Sequence, residues 1–133
     1  MEIGLVVAEF NREVTEEMER RARAAASELG VDVAVVNHVP GAYDAPLAVK
    51  NQVERGVDAV AVLGAVVTGD TGHDEVIARV VADRLSELSL EHDVPVALGV
   101  SGPEMTADEA RERVYYGRRA VESAVSLARE LDD

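Results

Sequence analysis

Residues 64–76, GAVVTGDTGHDEV, combine the residue types that could hold an anion next to a proton-transfer group. An apolar run ends in a tight glycine turn, and His73 falls on the first turn of the helix expected to follow. Such a turn leaves backbone N–H groups without intrahelical partners, pointing at one spot with the helix dipole behind them, which suits a phosphate. The same dipole works against a positive charge on His73, so a neutral imidazole that accepts and returns a proton is expected there. Gly64, Gly69 and Thr71 keep the spacing of the nucleotide loop G-x-x-x-x-G-K-[ST], but Asp70 stands where that loop needs lysine. An aspartate repels a triphosphate. A single phosphate, held by backbone N–H groups and an arginine supplied from elsewhere, fits better.

Three other segments carry residues able to meet a ligand: AEFN (8–11), VPGAYDAP (39–46) and GVSGPEMT (99–106). Phe10, the only phenylalanine, either stacks on a planar ligand or closes the end of the core. In the turn Pro40-Gly41-Ala42-Tyr43-Asp44, backbone N–H and C=O groups could read the edge of a heterocycle, while the plainer reading makes Asp44 a helix cap. Arg113, Arg118 and Arg119 lie among Tyr115 and Tyr116, and any of the three could grip a phosphate; spacing does not choose between them. His38 and His92 look incidental. With no cysteine and no paired histidines, no metal site is expected.

These segments need a scaffold that brings them together. Four β-branched apolar runs, at 3–8, 31–36, 59–67 and 94–100, do not alternate cleanly, so each reads as a strand buried on both faces. Helical patterns fall between them at about 13–29, 44–55, 74–91 and 106–131. Gly30 and Gly56 are placed as C-terminal stops, and Thr106-x-x-Glu109 is a capping box. In the third helix Val76, Ile77, Val80, Val81, Leu85 and Leu88 form an apolar stripe. Strict βα alternation predicts a four-stranded parallel sheet with helices on both faces, an α/β/α sandwich. Sites in such sheets lie at the carboxyl ends of the strands, where all four candidate segments fall.

The 133 residues suit one domain, 1–133, with a single sizeable core. Twenty-six acidic against 13 basic residues give a net charge of −13, which argues against nucleic acid or an anionic membrane as partner. Lys50 is the only lysine. Dense carboxylate with so little lysine is expected of a protein kept soluble in a high-salt cytosol. The absence of cysteine, of a signal peptide and of a long apolar run predicts a cytoplasmic location.

Taken together, AEFN, VPGAYDAPLAVK, GAVVTGDTGHDEV, GVSGPEMT and ERVYYGRRAVESAV resemble the 6,7-dimethyl-8-ribityllumazine synthase family in its archaeal form, in order and spacing over nearly the whole chain. The resemblance implies a flavodoxin-like sandwich that assembles as a homopentamer or as a sixty-subunit icosahedral shell, with active sites at subunit interfaces. It implies condensation of 5-amino-6-(D-ribitylamino)uracil with L-3,4-dihydroxy-2-butanone 4-phosphate, releasing phosphate and water, a step of riboflavin synthesis that uses no cofactor. By motif, Phe10 stacks on the pyrimidine, Ala42, Tyr43 and Asp44 contact the uracil and ribityl chain, and Ala65, Val66 and Val67 line the same substrate. Gly69, Asp70 and Thr71 hold the butanone phosphate with Arg113, and His73 moves protons. The sequence departs from many bacterial members at Leu98, where they carry an aromatic that reaches the neighbouring subunit's site, and at Asp44, which replaces a longer glutamate. The nearest rival by resemblance is the archaeal riboflavin synthase, which dismutates two lumazines and, releasing no phosphate, would not need the GDTGH segment; from a different class, a non-catalytic flavin-binding or phosphate-binding module of the same fold would need neither His73 nor two adjoining subsites.

Overall fold

The computed structural model describes residues 1–69 and 72–132. In chain order the elements are β1 (Glu2–Ala8), α1 (Arg12–Leu29), β2 (Asp32–Val39), a 3₁₀ turn (Ala42–Asp44), α2 (Ala45–Glu54), β3 (Ala59–Ala65), α3 (His73–His92), β4 (Val96–Ser101), α4 (Ala107–Glu112) and α5 (Tyr116–Leu131). All strand pairs are parallel, in the order β2-β1-β3-β4. This is the beginning of the flavodoxin-like strand order, and its topological switch point lies between β1 and β3.

The lack of alternation in the strands has a direct cause: each central strand serves two cores. Ile3, Leu5 and Val7 of β1, with Ala59, Ala61 and Leu63 of β3, pack against Met18 and Ala22 of α1 and Val121 and Val125 of α5. Val6 and Ala8, with Val60 and Val62, face the other way onto Val49 and Val53 of α2 and Val81 and Leu85 of α3. The three-layer sandwich thus carries α1, α4 and α5 on one face of the sheet and α2 and α3 on the other.

Two close approaches set the spacing of these layers. At Gly117 an added Cβ would stand 2.1 Å from the Met18 carbonyl oxygen, so α5 lies against the backbone of α1. At Gly99 it would stand 2.7 Å from Ala120 Cβ, which seats α5 on β4. No helix among the described residues is long and apolar enough to cross a membrane.

The expected fourth helix, 106–131, is in fact two. Its capping box forms as expected, with Glu109 N–H donating to Thr106 Oγ1 and Thr106 N–H to Glu109 Oε1, both at 3.1 Å. The helix then breaks over 113–115, where the N–H groups of Arg113, Tyr116 and Gly117 bond to the carbonyls three residues back. Both Ala110 and Gly117 must reach the α1 side of the core, and the break lets each pack there. The apolar stripe of α3 also differs from expectation. Val76 is exposed, and the buried residue of that first turn is Asp74.

Candidate active site

The chain leaves each strand at the same edge of the sheet, and the segments beyond β1, β2 and β3 enclose a cleft of about 310 Å3 at the switch point. Phe10 follows β1, Pro40, Gly41, Ala42 and Tyr43 follow β2, and Ala65, Val66, Val67 and Gly69 follow β3. His73, Asp74 and Ile77, from the first turns of α3, close the remaining side.

Phe10 is 56 % exposed, so it does not cap the core; its ring stands at the cleft wall, where a planar ligand can lie against it. Its position is fixed from both sides: Phe10 N–H donates to the Pro40 carbonyl at 3.1 Å, and Asn11 takes the left-handed conformation that turns the chain into α1. The link between Phe10 and Pro40 also ties the β1 and β2 loops into one wall.

Asp44 occupies the cap position of α2 without capping it. Its Oδ2 instead accepts the Gly41 N–H at 3.1 Å, closing the 3₁₀ turn on itself and holding Ala42 and Tyr43 against the cleft. Asp44 therefore shapes this wall from outside the lining. Ala42 is buried, while the Tyr43 side chain is exposed at the rim.

The β3–α3 connection is bound to the β4–α4 loop at three points. Val66 N–H donates to the Ser101 carbonyl at 2.8 Å and Thr68 N–H to the Met105 carbonyl at 2.8 Å. Glu104 N–H donates to Asp74 Oδ2 at 3.0 Å. Gly102, at φ 104°, lets the loops meet: a Cβ there would lie 2.1 Å from the Val66 carbonyl oxygen. His73, the first residue of α3, is exposed toward the cleft beside Gly69, with Ile77 one turn beneath it. Asp70 and Thr71, expected to hold phosphate, lie outside the described residues.

The fold brings Phe10, Ala42, Tyr43, Ala65, Val66, Val67, Gly69 and His73 into one cleft. It does not bring Leu98 or Arg113 there. Leu98 lies on the edge strand β4, where it lines a separate hollow of about 270 Å3 with Tyr116 and Arg119. Arg113 ends α4, 3.4 Å from Glu109 Oε2. Of the other two arginines, Arg118 pairs with Glu28 and Glu122, and Arg119 sits 5.7 Å and 5.9 Å from the ring centres of Tyr115 and Tyr116. His38 binds Glu19 of α1 at 2.7 Å, and His92 ends α3.

Sequence reasoning missed Asp74 and Ile77 as cleft residues. Ile77 had a usable signal, since four residues after His73 is the same face of a helix. For Asp74 there was none: an acidic residue in a first helical turn is ordinarily solvated, and its burial depends on a loop thirty residues away.

An apolar cleft at a strand switch point, with an exposed ring on one wall and a histidine from the first turn of a helix on another, defines a doubly wound α/β protein with a candidate small-molecule site at its sheet edge. Family comparison makes the class specific. Residues 1–132 match the family model described as 6,7-dimethyl-8-ribityllumazine synthase. A 6,7-dimethyl-8-ribityllumazine synthase of Halobacterium salinarum is 60% identical over 130 residues, covering 97% of this chain and 98% of its own. Proteins of the same name are 54% identical in Halorubrum lacusprofundi, over 98% of both chains, and 51% identical in Methanoculleus marisnigri, over 99% of this chain and 98% of that one. The chain belongs to the 6,7-dimethyl-8-ribityllumazine synthase family.

Proposed function

We propose that the cleft at the β1/β3 switch point is where this chain condenses 5-amino-6-(D-ribitylamino)uracil with L-3,4-dihydroxy-2-butanone 4-phosphate to 6,7-dimethyl-8-(D-ribityl)lumazine, as a transferase of riboflavin biosynthesis. The observation that carries the reading is the convergence of an exposed ring, a backbone-lined wall and His73 around one cleft.

The pyrimidine lies against Phe10, with its polar edge toward the backbone of Ala42 and Tyr43 and its apolar side toward Ala65, Val66 and Val67. By motif, Gly69, Asp70 and Thr71 are the residues that hold the butanone phosphate, in the segment that leads into the positive end of α3. The two reacting centres then meet in front of His73. The ring amine adds to the ketone and water leaves, giving an imine. Phosphate then departs with its bonding electrons as a proton is lost from the adjacent carbon, and the ribitylamino nitrogen closes the second ring with loss of another water. Every step moves protons between nitrogen, oxygen and carbon, which one imidazole can relay. Holding both substrates in register supplies much of the remaining acceleration.

Arg113 and Leu98 enter this scheme from a second copy of the chain. Both stand on the β4, α4 and α5 side, away from the cleft of their own subunit, so a homo-oligomer that docks this side onto a neighbour's cleft brings Arg113 to the phosphate. A pentamer, alone or in a sixty-subunit shell, has this head-to-tail contact. Leu98 offers the pyrimidine an aliphatic contact in place of a second aromatic face.

The deciding experiment mixes the purified protein with both substrates and follows lumazine absorbance together with phosphate release, with light scattering to size the particle. Equal amounts of lumazine and phosphate are expected from a particle of at least five subunits. Binding of the pyrimidine without turnover would favour the non-catalytic module, and an active monomer would remove the shared-site arrangement.

A further inference from the structure

We propose that Asp74 is a positioning residue: by accepting the Glu104 N–H it holds the first turn of α3, and with it the His73 imidazole, in register with the rest of the cleft. This rests on the assignment of the condensation to that cleft.

Asp74 differs from the other acids of its helix. Glu75, also in the first turn, is exposed and meets the Glu104 side chain, whereas Asp74 is only 6 % exposed and gives one carboxylate oxygen to a backbone N–H thirty residues along the chain. A buried carboxylate carries a desolvation cost that a hydrogen bond to an N–H offsets. The donor is presented by an uncommon conformation, with Glu104 in the left-handed region at φ 59° directly after Gly102 and Pro103.

The placement of the bond gives it its role. Thr68 N–H, bonded to the Met105 carbonyl, fixes the chain beyond β3, and Asp74, bonded to Glu104, fixes the start of α3. Gly69, Gly72 and His73 lie between these two anchors, and both anchors rest on the same β4–α4 loop. That loop is itself held by Met105, which is fully buried in the core. Without the Asp74 bond, the first turn of α3, which carries His73, loses its fixed point, while the cleft walls at Phe10 and Ala42 keep theirs.

The test compares Asp74→Ala and Asp74→Asn with the unsubstituted chain. The asparagine carbonyl can still accept from Glu104 N–H; alanine cannot. Asp74→Ala is expected to lower kcat by about 10- to 100-fold, the scale of a misplaced reacting group, with the pyrimidine KM changed far less. Asp74→Asn is expected to recover most of the lost turnover. A wild-type kcat in Asp74→Ala overturns the proposal. So does an Asp74→Asn as slow as the alanine variant, which would assign the effect to charge. Hydrogen exchange on the unsubstituted protein decides the matter even if the alanine variant does not fold: Glu104 N–H must be protected, and rapid exchange there refutes the bond. No lumazine from the unsubstituted protein would instead refute the underlying reading, and is told apart because it involves no substitution.

Discussion

Replacing Gly102 by alanine should damage stability and turnover together, and the structure sets the scale. Two costs add. At φ 104° a residue with a Cβ sits outside the comfortable regions, which costs about 1–2 kcal/mol. The new Cβ would also stand 2.1 Å from the Val66 carbonyl oxygen and 3.0 Å from its carbonyl carbon. Backbone atoms cannot rotate aside as a flexible side chain can, so the two loops must separate, at a further cost of about 1–3 kcal/mol, typical of overpacking.

Gly56 provides the control, since it has a similar φ of 94° with nothing within 4 Å of the site where a Cβ would go. Gly56→Ala therefore carries only the conformational part. The difference between the variants, about 2 kcal/mol, corresponds to roughly 5–10 °C in Tm for a chain of this size. Melting both at one protein concentration keeps assembly from confounding the comparison. The separation also stretches the bonds from Val66, Thr68 and Glu104, so kcat should fall in Gly102→Ala and hold in Gly56→Ala. Equal melting temperatures for the two variants would refute the argument, because they would mean that the close approach of the loops is not a constraint.

Three further outcomes are expected. His73→Ala should lower kcat by about 10²–10⁴-fold, the usual contribution of a proton-transfer group, while leaving the particle size unchanged; unaltered lumazine formation would remove its assigned role. Glu75 is held above the ordinary carboxylate range by a hydrogen bond to the Glu104 side chain and by its charge. The stability that this shared proton contributes is present below a pH of about 4.5 and lost as pH rises through the higher folded value, so the Tm of Glu75→Gln relative to the parent should increase over that range, and a difference independent of pH would refute it. The third concerns salt: Arg12, Arg20, Arg21, Arg23, Arg84, Arg111, Arg113, Arg118 and Lys50 already stand in ion pairs, leaving an excess of carboxylates to repel one another. Thermal melts should therefore move upward between low and molar salt, and no movement would refute the high-salt reading.

The strands were legible because a run such as AVAVLGA is apolar on both faces, and only a sheet covered on both sides accepts that. The same uniformity hid which residues face which helices: nothing in the letters separates Leu5 from Val6, although they belong to different cores. Gly30 and the Thr106 box were readable because capping chemistry is local. The break after Glu112 was not, since the helical period runs through it and the reason for it, the approach of Gly117 to Met18, is a contact between distant segments. Likewise β2 runs on to Val39 because Val7 and Ala8 offer partners to His38 and Val39. At the site, Phe10 and His73 were visible as unusual residues at strand and helix ends. Asp74 was invisible because it looks like any acid on a helix, and the separation of Arg113 from the cleft was hidden because spacing along a chain carries no distance across a sheet.

The few aromatic side chains of this protein also make it its own optical instrument. With no tryptophan, its intrinsic emission comes from Tyr43, Tyr115 and Tyr116. The first stands at the rim of the cleft; the other two lie edge to face, 5.1 Å apart, with the Arg119 guanidinium above them on the opposite flank. Docking of that flank onto a neighbour's cleft would bring the pair of one subunit up to the Tyr43 of the next. With Tyr43 replaced by phenylalanine, the remaining emission comes from the flank side of that contact, and with the pair replaced it comes from the cleft side.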